Sequence, residues 1–356
     1  MSPHEEPLPS YVNARARILA AYLRLWATEV LASEAPTHPA LPARLAYLDL
    51  YGGASRLSAR SRAMLAAATS AAADDPVLRS ELGIIANAPG PQDPDVAQAL
   101  RATLGPASRM THAPQLLGQH HGARVDARLD AMRPLATVAW VEPDGYLGLA
   151  GGDAWRCLRR PAMELFLVVR YPLINMGATN ADVAAQLDSF WGAPRAALLR
   201  ESLVGLGPQQ RLHEILDATA ARLRERGAVH IIPFFLRDGH RLQEILFFAS
   251  GDVDAYTRAK EVLARFSTGR EQGVPNYTWD PVAARYRRPL ELVRPLDALA
   301  NDLGRRLANQ IVTAEEIYQR HHVGQPYVLQ NYVDALEWLA ARGRAYRMGR
   351  RMRILR

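Results

Sequence analysis

Apolar side chains recur at helical spacing between residues 11 and 32, at Ile18, Leu19, Tyr22, Leu23, Trp26 and Val30. That period predicts a long amphipathic helix. Residues 45–51 form an apolar run interrupted by Asp49 and followed by Gly52, Gly53, Ala54 and Ser55. An apolar run that ends in an acid and a small-residue turn reads as a buried parallel strand opening into a ligand loop. A tight turn without function has the same appearance. Further strands are expected at 82–87, 109–113, 135–141 and 163–170. Helices are expected at 58–73, 94–104, 116–132, 153–160, 181–191 and 194–226. The pattern then changes. Apolar runs at 229–236 and 241–249 flank Arg237-Asp238-Gly239-His240, an Asp-Gly hairpin signal. The expected fold is α/β and Rossmann-like, a seven-stranded sheet whose last two strands form an antiparallel hairpin at one edge.

A helix at 253–266 closes this first domain, residues 1–266. A polar, Pro- and Gly-containing connector follows at 267–291. The third segment, 292–356, has helical patterns at 294–309, 315–322 and 327–342. Thr313-Ala314-Glu315-Glu316 forms a capping box before the second of them. Residues 345–348 and 351–355, joined at Gly349-Arg350, read as a basic hairpin. Three helices and a basic two-stranded wing predict a winged helix-turn-helix. Gln330 and Asn331 are expected outward on its last helix as base-reading residues, with Arg347, Arg350 and Arg351 at the hairpin tip on phosphates. A protein-docking module has the same pattern.

Composition changes this picture only at the C-terminus. The net charge is +7, and the last sixteen residues hold seven arginines and no acid, so the other 340 residues sum to 7 − 7 = 0. The basic character is a local patch suited to an anionic partner. No apolar run approaches the roughly 20 residues of a membrane span. The first residues lack a signal-peptide pattern, and the single Cys157 excludes an internal disulfide and a cysteine metal cluster. These features fit a cytoplasmic protein. His120 and His121 are adjacent in a predicted helix, about 100° apart, a poor geometry for one metal. No metal site is expected.

Ligands of open parallel sheets bind outside the carboxyl ends of the strands. Glu142-Pro143-Asp144-Gly145-Tyr146 follows the fourth strand. It resembles the acid, proline and aromatic with which amino-methyltransferases hold a target amine, though with a longer spacer. Pro-Asp-Gly also makes a β-turn without function.

Several phrases resemble the three-Cys-motif partner protein family, methyltransferase-like proteins paired with a radical S-adenosylmethionine protein. They are Tyr47-Leu48-Asp49-Leu50-Tyr51-Gly52-Gly53, Val141 to Leu149, Ile174-Asn175-Met176-Gly177, Pro233-Phe234-Phe235, Ile245 to Ser250, Ala259-Lys260 and the winged stretch around Tyr318 to Tyr332. They lie in the family's order over roughly residues 40–350. The resemblance implies a class I methyltransferase fold and an S-adenosylmethionine site at Asp49, Tyr51, Gly52, Gly53, Ser55 and Asn87. It implies acceptor-orienting roles for Glu142, Pro143 and Tyr146, and a radical S-adenosylmethionine protein as partner. The chain departs from the family at Ser55 (a glycine there), Asn87 (an acid), Glu142 (an aspartate) and Asp144 (an aromatic). Those departures fall in the expected pocket. They leave two expectations: methyl transfer to an amine or related nucleophile, perhaps on a nucleic acid, or a non-catalytic scaffold of the same fold that docks DNA or a partner enzyme.

Overall fold

The structure is a computed structural model and describes residues 8–32, 42–52, 59–87, 94–117, 122–143, 145–150, 158–239, 241–282 and 295–355. The chain divides into two compact units, 1–236 with 240–259, and 237–239 with 260–356.

The first unit is built on strands β1 (Leu45–Gly52), β2 (Leu82–Asn87), β3 (Gln115–Leu117), β4 (Ala136–Pro143), β5 (Met163–Arg170), β6 (His230–Asp238) and β7 (Arg241–Ser250). Its helices are α1 (Ser10–Val30), α2 (Ala59–Asp74), α3 (Pro76–Glu81), α4 (Pro94–Thr103), α5 (Gly122–Met132), α6 (Gly145–Ala150), α7 (Tyr171–Gly177), α8 (Ala184–Trp191), α9 (Ala193–Ser202), α10 (Pro208–Glu225) and α11 (Val253–Phe266), the last running on into the second unit. The connector adds β8 (Arg270–Glu271), β9 (Val274–Pro275) and β10 (Thr278–Trp279).

The main sheet has eight strands, not seven, in the order β10-β6-β7-β5-β4-β1-β2-β3. The eighth is β10, two residues inside a connector too polar and too short in apolar run to read as a strand. Pairing is parallel between β1 and β2, β1 and β4, β2 and β3, and β4 and β5, and antiparallel between β5 and β7. Two residues join β6 to β7, with Gly239 at φ +62°, so the chain reverses there as the Asp-Gly signal predicts.

Some element boundaries differ from expectation. The third strand lies at Gln115–Leu117 rather than 109–113, because Pro106 starts a 3-10 turn over Gly105–Arg109. Leu116 and Leu117 therefore pair with β2, and the helix expected from 116 begins at Gly122. The helix expected over 194–226 is broken into α9 and α10. Gly205 sits at φ +76° between them and Pro208 opens the second. Asp75 both follows α2 and caps α3, accepting from Val77 and Leu78 amides at 2.9 and 3.0 Å.

Side chains alternate across the sheet. One face, with Ala46, Leu48, Leu50, Ala139, Val141, Leu165 and Leu167, packs on the helices that follow β5. The other carries an aromatic layer. Trp140 stacks on Phe166 at 5.6 Å, Phe166 meets Phe248 at 5.1 Å, and Tyr22 of α1 meets Phe166 edge-on at 4.9 Å. The foot of α1 is tied to buried Glu164, which accepts from Trp26 Nε1 at 3.1 Å, Arg258 at 3.0 Å and the Tyr22 hydroxyl.

The second unit has helices α12 (Leu296–Arg306), α13 (Ala314–His321) and α14 (Leu329–Ala341). A three-stranded sheet of β11 (Ile311–Val312), β12 (Ala345–Met348) and β13 (Arg351–Ile354) has the order β11-β13-β12. Its core is Leu299, Leu303, Ile317, Tyr332, Leu336, Met352 and Ile354. This is a winged helix-turn-helix. The capping box forms as read: Thr313 Oγ1 accepts from the Glu316 amide at 3.1 Å and Glu316 from the Thr313 amide at 3.0 Å.

Candidate functional site

Strand order fixes where a ligand can enter the first unit. The connections from β1 through β2 to β3 run toward one edge of the sheet, and those from β4 to β5 toward the other. The reversal lies between β1 and β4, the topological switch point of an open sheet. The register there pairs Tyr51 with Glu142 and Gly52 with Pro143. On the other side Leu50 pairs with Asn87. The three segments singled out as site candidates thus end side by side, although 36 to 92 residues separate them in sequence. Gly53, Ser55 and Asp144 lie outside the described residues, as do 88–93, His120, His121 and Cys157.

The carboxylates of this region do not face outward. Glu142 shares the face of Trp140 and is buried, 3% exposed. Arg15 of α1, itself fully buried, donates to Glu142 Oε1 at 3.2 Å, with a second approach of 3.0 Å to Oε2, and reaches Glu244 of β7 at 3.2 Å. Arg60 also meets Glu244 at 3.2 Å, Arg60 donates to the Tyr11 hydroxyl at 2.9 Å, and Arg170 stands 3.7 Å from Glu142. Glu142 is therefore held in an internal network of arginines and carboxylates. Arg15 is the residue the sequence reading missed. Its signal was available: Arg15 falls in the apolar stripe of its helix, four residues after Tyr11 and three before Ile18.

Asp49 is buried as well and accepts from the Tyr47 hydroxyl at 3.2 Å. Burial pushes its carboxyl well above the ordinary 3.8, with Glu142 adding to the rise and the Tyr47 hydrogen bond opposing it. At 1% exposure its side chain offers no surface to solvent. A carboxyl with a raised folded pKa holds its proton more tightly in the folded chain. Stability is full below the unfolded value and falls as pH rises through the folded one. Asp49→Asn keeps the shape and an acceptor for Tyr47. It is expected to match the wild type near pH 4 and to exceed it increasingly as pH rises toward 8, in denaturant titrations. A gap that does not widen with pH would show that Asp49 is not held protonated by burial.

Tyr146 is also occupied. Its hydroxyl donates to the Leu173 carbonyl at 2.8 Å. A Cβ on Gly177 would stand 2.4 Å from its ring, so the glycine of Ile174-Asn175-Met176-Gly177 exists to admit that ring. Arg211 pins the same short helix by donating to Asn175 Oδ1 at 2.8 Å and to the Asn175 carbonyl at 3.0 Å. Two motifs distant in sequence are one packed unit. Gly177→Ala is expected to lose about 1–3 kcal/mol, and markedly less when Tyr146 is also alanine. A thermodynamic double-mutant cycle reads the coupling, and additive losses would contradict it.

In the winged unit, Gln330 is exposed and donates to Asp334 at 2.8 Å. Asn331, expected outward, is buried. Standing three residues into the start of α14, its carboxamide reaches back to accept from the Val328 amide at 3.0 Å and donates to the Gly273 carbonyl at 3.2 Å. Arg347, Arg350 and Arg351 are exposed on the wing, with Gly349 at φ +64° at its tip. Arg347 meets Glu337 at 3.3 Å and Arg351 meets Glu316 at 3.1 Å.

Residues 287–344 match the GMT-like wHTH domain family. No curated protein and no solved structure matches the chain. The resemblance to three-Cys-motif partner proteins stands on its motifs alone. Among the described residues no helix is long and apolar enough to cross a membrane, and no cluster of His, Cys, Asp and Glu is arranged to hold a metal.

Proposed function

We propose that the first unit is an S-adenosylmethionine-dependent methyltransferase acting on an amine or related nucleophile, and that the winged unit delivers it to nucleic acid. One observation carries the reading: the ends of β1, β2 and β4 meet at the switch point, with Gly52 beside Pro143. The residues that would hold the cofactor are the Tyr51 to Ser55 loop and Asn87, through backbone approach at the glycines and hydrogen bonds to the ribose. S-adenosylmethionine supplies an electrophilic methyl group. The chain's own part is to orient the nucleophile, a task in which Pro143 and Tyr146 border the acceptor side and Glu142 acts through its network. The antiparallel β6–β7 hairpin at one side of the parallel strands also favours the methyltransferase class over an all-parallel nucleotide-binding sheet.

A second reading has a specific observation in its favour. Glu142 and the Tyr146 hydroxyl, the two side-chain groups expected to hold an acceptor, are both engaged inside the protein. That suits a scaffold that keeps the fold and docks a partner, such as a radical S-adenosylmethionine protein. Calorimetry separates the two. The methyltransferase reading expects saturable heat with S-adenosylmethionine and with S-adenosylhomocysteine. Silence at millimolar ligand leaves the scaffold.

A further inference from the structure

The candidate recognition helix is poorly suited to a duplex. Leu329–Ala341 contains no basic residue, and its outward positions include Gln330, Asp334 and Glu337. Two carboxylates entering a groove lined by phosphates are repelled. The basic residues lie on the sheet instead, and the pairing shows how they are arranged. Ile311 pairs with Arg353 and Arg353 with Tyr346, making one row across all three strands. Met348 pairs with Arg351 in the next row. Alternation places these five side chains on one face, because Val312, Ala345, Met352 and Ile354 are buried on the other.

That face is unusual for an exposed sheet. Ile311, Tyr346 and Met348 are 40%, 44% and 46% exposed. Arg353 has no carboxylate partner among the described residues. Arg351 lies at the end of the face and is paired to Glu316. An exposed aromatic ring with an unpaired guanidinium directly across from it, as Tyr346 has in Arg353, is the pattern that binds unpaired bases: the ring stacks on a base and the arginine neutralises the adjoining phosphate. A base within a duplex offers no free face to stack on.

We infer that the exposed face of the β11-β13-β12 sheet is a docking surface for single-stranded nucleic acid, with Tyr346 as the base-stacking residue and Arg353 as a phosphate contact. The inference rests on the winged unit being a nucleic-acid module and is independent of cofactor binding in the first unit.

The test is fluorescence anisotropy of the full chain with a short labelled single strand, and with the same strand annealed to its complement, at several salt concentrations. The single strand is expected to bind more tightly than the duplex. Tyr346→Ala is expected to weaken single-strand binding by roughly 5- to 150-fold, with no loss on the duplex, and Tyr346→Phe to retain it. Arg353→Ala should lower the log–log salt slope by about 0.7 on the single strand. Melting curves of each variant confirm that the unit stays folded. A duplex preferred over the single strand, or a Tyr346→Ala variant that binds as the wild type, overturns the inference. Failure to bind either probe at low salt also overturns it and assigns the face to a protein partner. Heats with S-adenosylmethionine are unaffected by any of these outcomes, so the two readings fail separately.

Discussion

Arg15→Ala is expected to destabilise the first unit by about 3–5 kcal/mol. The guanidinium is fully buried and stands between Glu142 and Glu244, which are themselves buried. Its removal leaves two carboxylates in the interior with, among the described residues, Arg170 at 3.7 Å and Arg60 at 3.2 Å to answer them. Burial already pushes the Glu244 carboxyl above its ordinary 4.5, with Arg15 the largest opposing influence. Without Arg15 the rise should grow. Stability of the variant is then highest below the ordinary carboxylate value and falls as pH rises through the raised one. The deficit relative to the wild type should therefore shrink as pH is lowered from 8 toward 5. Guanidinium titrations across that range measure it. Adding Glu142→Gln and Glu244→Gln to the variant should recover much of the loss, since neutral groups no longer need a cation. A deficit under about 1 kcal/mol, or one that grows on acidification, would mean that Arg15 does not hold these carboxylates.

Gly53→Val is expected to abolish S-adenosylmethionine binding while changing stability by no more than about 0.5 kcal/mol. Gly53 follows Gly52, whose backbone stands opposite Pro143 at the switch point. Gly53 itself lies outside the described residues, so the expectation rests on its place in the chain. On the proposed reading the loop backbone comes close to the cofactor, and a branched side chain there would keep it away. Calorimetry on the wild type and the variant reads the loss, and a melting curve shows that the fold is intact. A valine variant that binds like the wild type would remove the loop from the proposed cofactor site.

Much of this architecture was legible because the strands concerned are long apolar runs bounded by clear turns. The run at 45–51, the Asp-Gly hairpin and the Thr313 capping box each combine a pattern with a physical cause, and each appears where it was read. Signals failed where the element was too short to have a period. Gln115–Leu117 and Thr278–Trp279 become strands only because neighbouring strands offer them hydrogen bonds. The switch point was legible in outline, since the expected strands end there. The direction of its acids was not. Whether Glu142 faces a ligand or the core depends on a helix more than a hundred residues earlier, and no local pattern reports such a partner. Asn331 misled for the same reason. A polar residue on a helix reads as outward until the chain that supplies its hydrogen bonds, here Gly273, is in place.

The ion pairs of α1 also set a schedule for synthesis. Arg15 meets Glu244 and Glu29 meets Arg258, each pair 229 residues apart along the chain. A ribosome adding about 5–20 residues per second takes roughly 10–50 s to cover that distance. Over that interval the partners of α1 arrive in stages, Glu142 of β4 after 127 residues and Glu244 of β7 after 229. The strands that receive Tyr22 and Trp26 arrive midway, and the acid that completes Arg15 arrives near the end. A helix made before the sheet is thus locked only after the last strands of the sheet are made, and until β5 is made its apolar stripe lacks the strand that buries it.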